Sequence, residues 1–522
     1  MTKKRKPILA TFLFILFLLP SLLANQIPDE LNNLILKGKE YFYQFNITRS
    51  QAVFDQIINK YPEYPHGYFY QTYLTFIIFS QDVTNDSLAK ELDEQVNGTV
   101  DMANKYKKNL NGDIKRIEAD AEFYLGASYG LKAMNYVIDR NYLGGYWFGR
   151  KAKGHLEDVI KIDSTYYDAY LGLGIFHYYV DLLPGILQFI AGILGFDGDK
   201  NKGRNEVLMT SRSGSYFKVE AYLTYYVIRY FLEGEKRQSV QKFLELYHQY
   251  PANAALTLIL AYHYRRFGFM NKCIQYCESV PDSFITILPQ IVDIKYYNLA
   301  VSHYDMNEFS EADSLFYNLI QLPTRKSLYY QAAIKFYKGM LAAITFNREA
   351  AVYYLQNIFK HNQTKYWYYQ AQMYLKYPMD SLMYKEIYAR NLLYSRQFNK
   401  GLEKVLELKY LIDTGVSSKN PDMRFLIMDL LAENYYYARD YQLALKVYDQ
   451  IASDMNDIKD DYQKSWIHIH YARCLRQVGE YDKAEKMLKE AHDLDEDFTR
   501  LIIEREKYII GQEKQSHENR KG

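Results

Sequence analysis

Tyr471-Ala-Arg-Cys-Leu-Arg-Gln-Val-Gly-Glu-Tyr-Asp-Lys-Ala-Glu-Lys-Met-Leu-Lys-Glu-Ala491 places two small residues, Ala472 and Ala484, on either side of a turn that contains Gly479 and Tyr481. Copies of this arrangement recur along the chain, at Ala300 with Phe309 and Ala312, and at Ala432 with Tyr441 and Ala444. Each copy reads as a pair of helices whose apolar face is buried only when neighbouring pairs stack. The pattern therefore predicts a helical repeat protein.

The repeats predict an all-α fold, an α-solenoid superhelix of about ten or eleven helix hairpins with a C-terminal capping helix. Leu125-Gly126 and Leu173-Gly174 each join a large and a small residue, which indicates close approach of a neighbouring helix. The expected organisation is a signal peptide at 1–24, irregular repeats at 25–215 with an apolar insertion at 182–203, a regular array at 216–495, a capping helix at 496–511 and a disordered tail at 512–522.

Composition argues against nucleic-acid binding. The formal net charge is only +2, and no basic stripe with interleaved aromatic residues occurs. The chain holds 55 Tyr but 3 Trp, so aromatic surface, where exposed, is mostly tyrosine. Tyrosine combines an apolar ring with a polar tip, which suits both inter-helix packing and a wet binding surface.

The N-terminus has the order of a secretory signal peptide. Lys3 to Lys6 are basic, an apolar run follows from Ile8 to Leu19, and a small-residue cleavage site precedes Asn25. No Cys stands near that site, so a lipobox is missing. We expect export to the periplasm, or an association with the outer membrane.

The spacing of Tyr471, Leu475, Gly479, Tyr481 and Leu488 with their small residues resembles the tetratricopeptide repeat family. The resemblance implies antiparallel helix pairs whose concave face binds a peptide or partner protein, and it implies no catalysis. By the family's spacing, the partner contacts lie on first helices. These positions are Asn298, Ser302, Leu430, Asn434 and His470.

An apolar segment interrupts the repeats at 182–203. It is similar to a segment of the tetratricopeptide repeat family that includes mitochondrial outer-membrane and inclusion-body clearance proteins. Two interpretations stay open: the helix plugs the hollow of the superhelix, or Leu182–Phe196 makes a peripheral membrane contact. Its polar end, Asp197 to Gly203, lacks the Gly and Glu of an EF-hand and predicts a turn that caps the next helix.

The sequence patterns that resemble catalytic or metal-binding motifs lack the surrounding structure or further ligands that those sites need. Gly126-Ala-Ser128-Tyr-Gly130 matches the GxSxG pattern, but a nucleophile elbow needs a strand before the serine and this segment reads as helix. His470 and Cys474 are one turn apart, yet zinc needs further converging ligands. Cys273 and Cys277 are expected to be buried thiols. We therefore predict no catalytic residue, no metal and no cofactor.

The leading function is a noncatalytic exported scaffold that binds a protein or peptide on its concave face, in envelope assembly. One alternative is an outer-surface protein that captures a glycan or another ligand, which exposed Trp would favour. A more remote alternative is an enzyme with a site grafted into the solenoid groove. The sequence gives no indication of the oligomeric state.

Overall fold

The computed structural model describes residues 27–81, 85–108, 114–138, 141–181, 198–324, 326–415, 421–494 and 499–521. Within these ranges the regular structure is helical, with 24 α-helices, two short 3₁₀ segments and no strand. The all-α repeat fold is therefore as predicted. The signal peptide at 1–24 and the segment Leu182–Phe196 lie outside the described residues.

The chain divides into two compact units, and the division falls inside a helix, after Val227. The first unit also takes in Tyr250–Asn253. Its helices are α1 (Asp29–Tyr43), α2 (Ile47–Lys60), α3 (Pro65–Gln81), α4 (Asp86–Lys108), α5 (Ile114–Ile138), α6 (Tyr142–Ile162), α7 (Ala169–Asp181), α8 (Lys200–Ser213) and α9 (Lys218–Phe231), of which α9 spans the division. Consecutive helices up to α8 pack as four hairpins.

The second unit continues the alternation. Its helices are α10 (Lys236–Gln249), α11 (Ala254–Arg266), α12 (Met270–Glu278), α13 (Pro289–Asp305), α14 (Phe309–Gln321), α15 (Leu328–Ile344), α16 (Arg348–Gln356), α17 (Lys365–Leu375), α18 (Ser381–Tyr394), α19 (Phe398–Asp413), α20 (Pro421–Tyr437), α21 (Tyr441–Ser453), α22 (Asp461–Gln477), α23 (Tyr481–Asp493) and α24 (Arg500–Lys521). Six hairpins form here, so that the described residues contain ten in all.

First helices of the second unit form a layer of their own. Neighbouring first helices contact one another from α11 to α13, from α18 to α20, and on through α22 to α24. Helix α17 packs less extensively on the preceding helix α16 than the hairpin partners pack on each other, and it also contacts α15 and α22. The hydroxyl of Tyr377 donates to Gln463 Oε1 at 3.1 Å, and Lys376 forms an ion pair with Asp460. The layer thus draws its side chains from helices that are far apart in sequence.

The small residues are buried at helix contacts, as their spacing predicts. Ala300, Ala312, Ala432, Ala444, Ala472 and Ala484 are all buried at 0–1% exposure. In the first unit, a Cβ on Gly203 would lie 2.6 Å from Gly174 O and 2.6 Å from Tyr178 N. Helices α7 and α8 therefore touch backbone to backbone at Gly174 and Gly203.

Gly203→Ala should destabilise the first unit by about 1–3 kcal/mol, because the added methyl group meets backbone atoms that cannot rotate away. The loss should appear in native-state hydrogen exchange of α7 and α8. Gly154→Ala in α6 is the control, since its added Cβ meets nothing within 4 Å. Equal exchange in the two variants would show that the helices have room to separate.

A buried ion pair joins the first and last helices of the first unit. Lys39 of α1 pairs with Glu220 of α9, and Tyr43 also donates to Glu220 at 2.6 Å. The ammonium group lies 4.3 Å from the ring centroid of Phe217. A charge that is both paired and placed over aromatic rings can be buried at acceptable cost.

The C-terminus differs from the expectation of a short cap and a disordered tail. Helix α24 runs to Lys521, through the whole predicted tail up to that residue. Three ion pairs hold its second half: Glu513 with Arg476 at 2.6 Å, and Lys514 with Asp482 at 2.6 Å and with Glu485 at 3.7 Å. Polar composition alone suggested disorder, whereas these pairs tether the helix to α22 and α23.

Among the described helices, none is both long and apolar enough to cross a bilayer.

Candidate functional site

A group of exposed tyrosines lies on the first-helix layer of the second unit. Tyr329, Tyr394 and Tyr437 keep 40%, 41% and 45% of their surface exposed. They come from α15, α18 and α20. With Tyr262 and Arg266 of α11 and Tyr366 of α17, they form the set that we call the recess.

Their electrostatics show that the exposed rings face an enclosed space. Burial by surrounding protein raises the pKa of Tyr394 well above its usual value and raises the pKa of Tyr437 to about 12. Desolvation also raises the pKa of Tyr329. A ring on an open surface would remain hydrated. Protein therefore surrounds the hydroxyls of rings that keep part of their surface exposed, which is the arrangement of a concave surface.

Arg266 lies near three of the recess tyrosines. It is exposed, but burial by the surrounding protein disfavours its charge, while the nearby hydroxyls of Tyr262, Tyr366 and Tyr437 help to raise its pKa. Its neighbour Arg265 donates from Nε to Asn298 Oδ1 at 2.8 Å. The guanidinium of Arg265 is thus held in place, whereas that of Arg266 remains open to a ligand.

A row of charged groups lies beneath the tyrosines. Arg390 donates from Nε to Glu386 Oε1 at 2.6 Å, and its Nη1 lies 3.6 Å from Glu433 Oε2. The same guanidinium lies 3.5 Å from the hydroxyl of Tyr394. Because Glu386 and Glu433 are both buried, this arginine is required to compensate them.

Asp429, Glu433 and His470 could in principle hold a metal ion, since one ligand atom from each lies within 4.8 Å of the others. The Nδ1 of His470 lies 3.1 Å from Asp429 Oδ1, and its Nε2 lies 3.7 Å from Glu433 Oε1. Although burial opposes it, the two carboxylates raise the pKa of His470. A protonated imidazole satisfies both acids, and the guanidinium of Arg390 beside Glu433 disfavours a further cation. We interpret the cluster as an ion-pair triad.

Burial corrects the partner contacts expected from the family's spacing. Asn298, Ser302, Leu430 and Asn434 are 0–2% exposed, so a partner cannot touch them. Asn298 positions Arg265, and Asn434 donates to Leu430 O at 2.8 Å within its own helix. Only His470 keeps partial exposure, and its role as a partner contact stays a prediction.

The abundance of tyrosine was evident from the sequence, but the particular tyrosines that form the recess were not predicted. Tyr437 closes the run Tyr435-Tyr436-Tyr437, and Tyr366 opens another such run. Periodicity separates one helix face from another, but it does not tell which face the next helices leave uncovered. Tyr394 and Tyr437 are each the last residue of a first helix, and that shared position would have been a usable signal for these two.

Three motifs that the sequence analysis judged nonfunctional lie in a helix or at a helix N-cap. Ser128 is buried inside α5, with no strand before it among the described residues. Cys273 and Cys277 are buried free thiols. Asp199 caps α8, its side chain accepting from Lys202 N at 2.9 Å. Asp199 is thus the N-cap of α8, and residues from Lys200 to Gly203 form the first turn of that helix.

Comparison with known proteins gives two family matches. Residues 424–497 match the tetratricopeptide repeat, and residues 162–385 match Iml2/Tetratricopeptide repeat protein 39. The second match includes the segment at 182–203 whose resemblance the sequence suggested. A search of curated proteins finds no match.

Solved structures add low-similarity matches. Cut9 in the APC/C hetero-tetramer Cut9-Hcn1 is 11% identical with a TM-score of 0.27, over 91% of this chain and 96% of the other. Yeast Tom70 is 12% identical with a TM-score of 0.28, over 94% and 96%. The Naa15/Naa10 complex bound to HypK-THB is 12% identical with a TM-score of 0.23, over 90% and 64%.

These scores are too low to support any inference about function, and the identification rests on the two family matches together with the described hairpins. The described hairpins are repeats of the tetratricopeptide type: residues 424–497 match the tetratricopeptide repeat, and residues 162–385 are similar to the Iml2/Tetratricopeptide repeat protein 39 family.

Proposed function

We propose that this protein is a noncatalytic scaffold that holds a protein or peptide segment in the recess of the second unit. The observation that carries the proposal is the set of tyrosines that are exposed yet desolvated. A partner that covers the exposed part of these rings removes apolar surface from water, which favours binding. Tyrosine also offers a large contact area with few rotatable bonds, which keeps the entropy cost of binding low.

The recess favours a peptide over a glycan. Glycan capture would be supported by exposed Trp, but Trp367 is buried and Trp466 is partly buried. Trp147 is exposed, at 56%, but it belongs to the first unit. Arg266 and the tyrosine hydroxyls, in contrast, match the carbonyl groups and side chains of an extended peptide.

We extend the proposal to location on the basis of residues 1–24, whose basic and apolar blocks have the order of a secretory signal. The partner would then be another exported protein, met in the periplasm or at the outer membrane during envelope assembly. This part depends on residues outside those the structure describes.

Photo-crosslinking in intact cells tests both parts. A photoreactive phenylalanine at Tyr394 should crosslink to one protein, and fractionation of the crosslinked product should recover it outside the inner membrane. The matched control is the same residue at Tyr353 of α16, a second helix, where the side chain is 64% exposed but lies outside the recess. Equal crosslinking at the two positions, or none at Tyr394, would contradict the recess as the binding site.

A further inference from the structure

At one end of the recess, positive charge exceeds negative charge. Glu506 of α24 is buried and is surrounded by three guanidinium groups: Arg473 at 3.0 Å, Arg505 at 3.4 Å and Arg476 at 4.0 Å. Arg476 has a second carboxylate, Glu513. One buried carboxylate therefore faces more cations than it can neutralise.

Two further cations meet this cluster. The turn before α10 packs against α24, since a Cβ on Gly234 would lie 3.0 Å from Ile509 Cδ1 and 4.0 Å from Arg505 Cγ. Lys236 begins α10 just beyond that turn, and its ammonium lies 5.3 Å from the ring centroid of Phe267. Arg266 comes directly before Phe267. Neither Lys236 nor Arg266 forms an ion pair with a carboxylate among the described residues.

The pKa of Lys236 is lowered by burial and by the neighbouring positive charges. Burial, together with the positive fields of Arg505, Arg266 and Arg473, lowers its pKa to about 8, and Glu506 only partly opposes this. Burial is the larger cause, and the nearby guanidinium groups add to it because like charges disfavour an ammonium group. This end of the recess therefore carries an excess of positive charge, to which an anion is complementary.

We propose that Lys236, Arg266, Arg473 and Arg505 form an anion-binding subsite that takes acidic side chains of the segment bound in the recess. The inference rests on the proposed function, because Arg266 lines both the recess and the subsite. Carboxylates of an Asp- or Glu-rich segment would pair with Lys236 and Arg266, while Arg473 and Arg505 stay with Glu506. The adjoining tyrosines would hold the apolar residues of the same segment.

Acylation of the full-length protein tests the charge state of the subsite. At pH 7.5, a lysine with a pKa of about 8 has roughly two hundred times more free amine than an ordinary one with a pKa near 10.4. Limited treatment with an N-hydroxysuccinimide ester should therefore modify Lys236 at least tenfold faster than Lys272, which also lies over aromatic rings. A fluorescein-labelled peptide of alternating Glu and Tyr should slow modification of Lys236 at least fivefold.

Binding of the same peptide, measured by fluorescence anisotropy, gives the second readout. Lys236→Met and Arg266→Met should each weaken it at least fivefold and reduce its salt dependence, whereas Lys272→Met should not. A peptide of alternating Gln and Tyr should bind the wild-type protein at least tenfold more weakly. Equal binding of the Gln and Glu peptides, with Lys236 unprotected, would overturn the subsite but not the recess. If neither peptide binds and Lys236 reacts no faster than Lys272, the subsite is wrong, and crosslinking at Tyr394 decides separately on the recess.

Discussion

Arg390→Met should destabilise the second unit by about 3–5 kcal/mol, the usual cost of leaving a buried charge without its partner. Glu386 is 0% exposed and accepts from Arg390 at 2.6 Å, and Glu433 lies 3.6 Å from the same guanidinium. Methionine fills much of the same volume but neutralises neither carboxylate. Urea unfolding monitored by the fluorescence of Trp367 and Trp466, which both lie in this unit, measures the change.

The control separates lost charge from lost packing. In the double variant Arg390→Met with Glu386→Gln, the deepest uncompensated charge is gone, so about half or more of the lost stability should return. An exposed pair gives the baseline: Lys404→Met removes a partner of Glu407 at 2.7 Å and should cost less than about 1 kcal/mol. If the double variant is no more stable than Arg390→Met, packing rather than charge explains the loss.

His66→Phe should make the first unit less sensitive to acid. His66 is 1% exposed, its ring centroid lies 4.6 Å from that of Tyr124, and its Nδ1 has no hydrogen-bond partner among the described residues. Burial, with a smaller effect of Arg116, lowers its pKa from 6.5 to about 3. The folded first unit therefore requires the neutral imidazole.

Because the pKa of His66 is lowered in the folded state, acid destabilises the first unit. The favourable contribution of a neutral His66 is complete above pH 6.5 and is lost as the pH falls toward 3, because the unfolded chain takes up the proton first. At pH 4 the loss amounts to about 3 kcal/mol. Hydrogen exchange of α3 and α5 at pH 4 and pH 7 should show this difference in the wild-type protein and little of it in His66→Phe. His248→Phe, at an exposed position, serves as the control. The same acid dependence in both variants would assign the loss to other groups.

The hairpin turns show why some repeats were easy to find and others were not. Gly479 has a φ of 83°, in the left-handed region that glycine adopts without strain, and it belongs to the repeat with the clearest sequence signature. In other hairpins the equivalent turn holds Asn307, Phe346, Arg396 or Arg439, with φ between 58° and 68°. These side chains hide the turn from sequence inspection, although the backbone geometry is the same.

The sequence by itself determined the helical hairpins and their repetition. Small residues such as Ala472 and Ala484 recur at a fixed spacing because two helices must approach closely there, and this contact lies within one hairpin. The spacing also led to the family. Such information is local, so that a dozen residues are enough to carry it.

Only the tertiary structure decided which polar and aromatic side chains remain accessible. Asn434 and Tyr437 lie one helical turn apart on α20, yet the first is 1% exposed and the second 45%. The difference depends on what packs over each residue. Gly401 of α19 lies against Asn434. The ring of Tyr437 has Phe398 stacked beside it, with centroids 6.4 Å apart, and still remains exposed. The segment after α17 contacts α22 across more than eighty positions of sequence, as the hydrogen bond from Tyr377 to Gln463 shows. A periodic pattern contains no record of such distant contacts, and they are what form the recess.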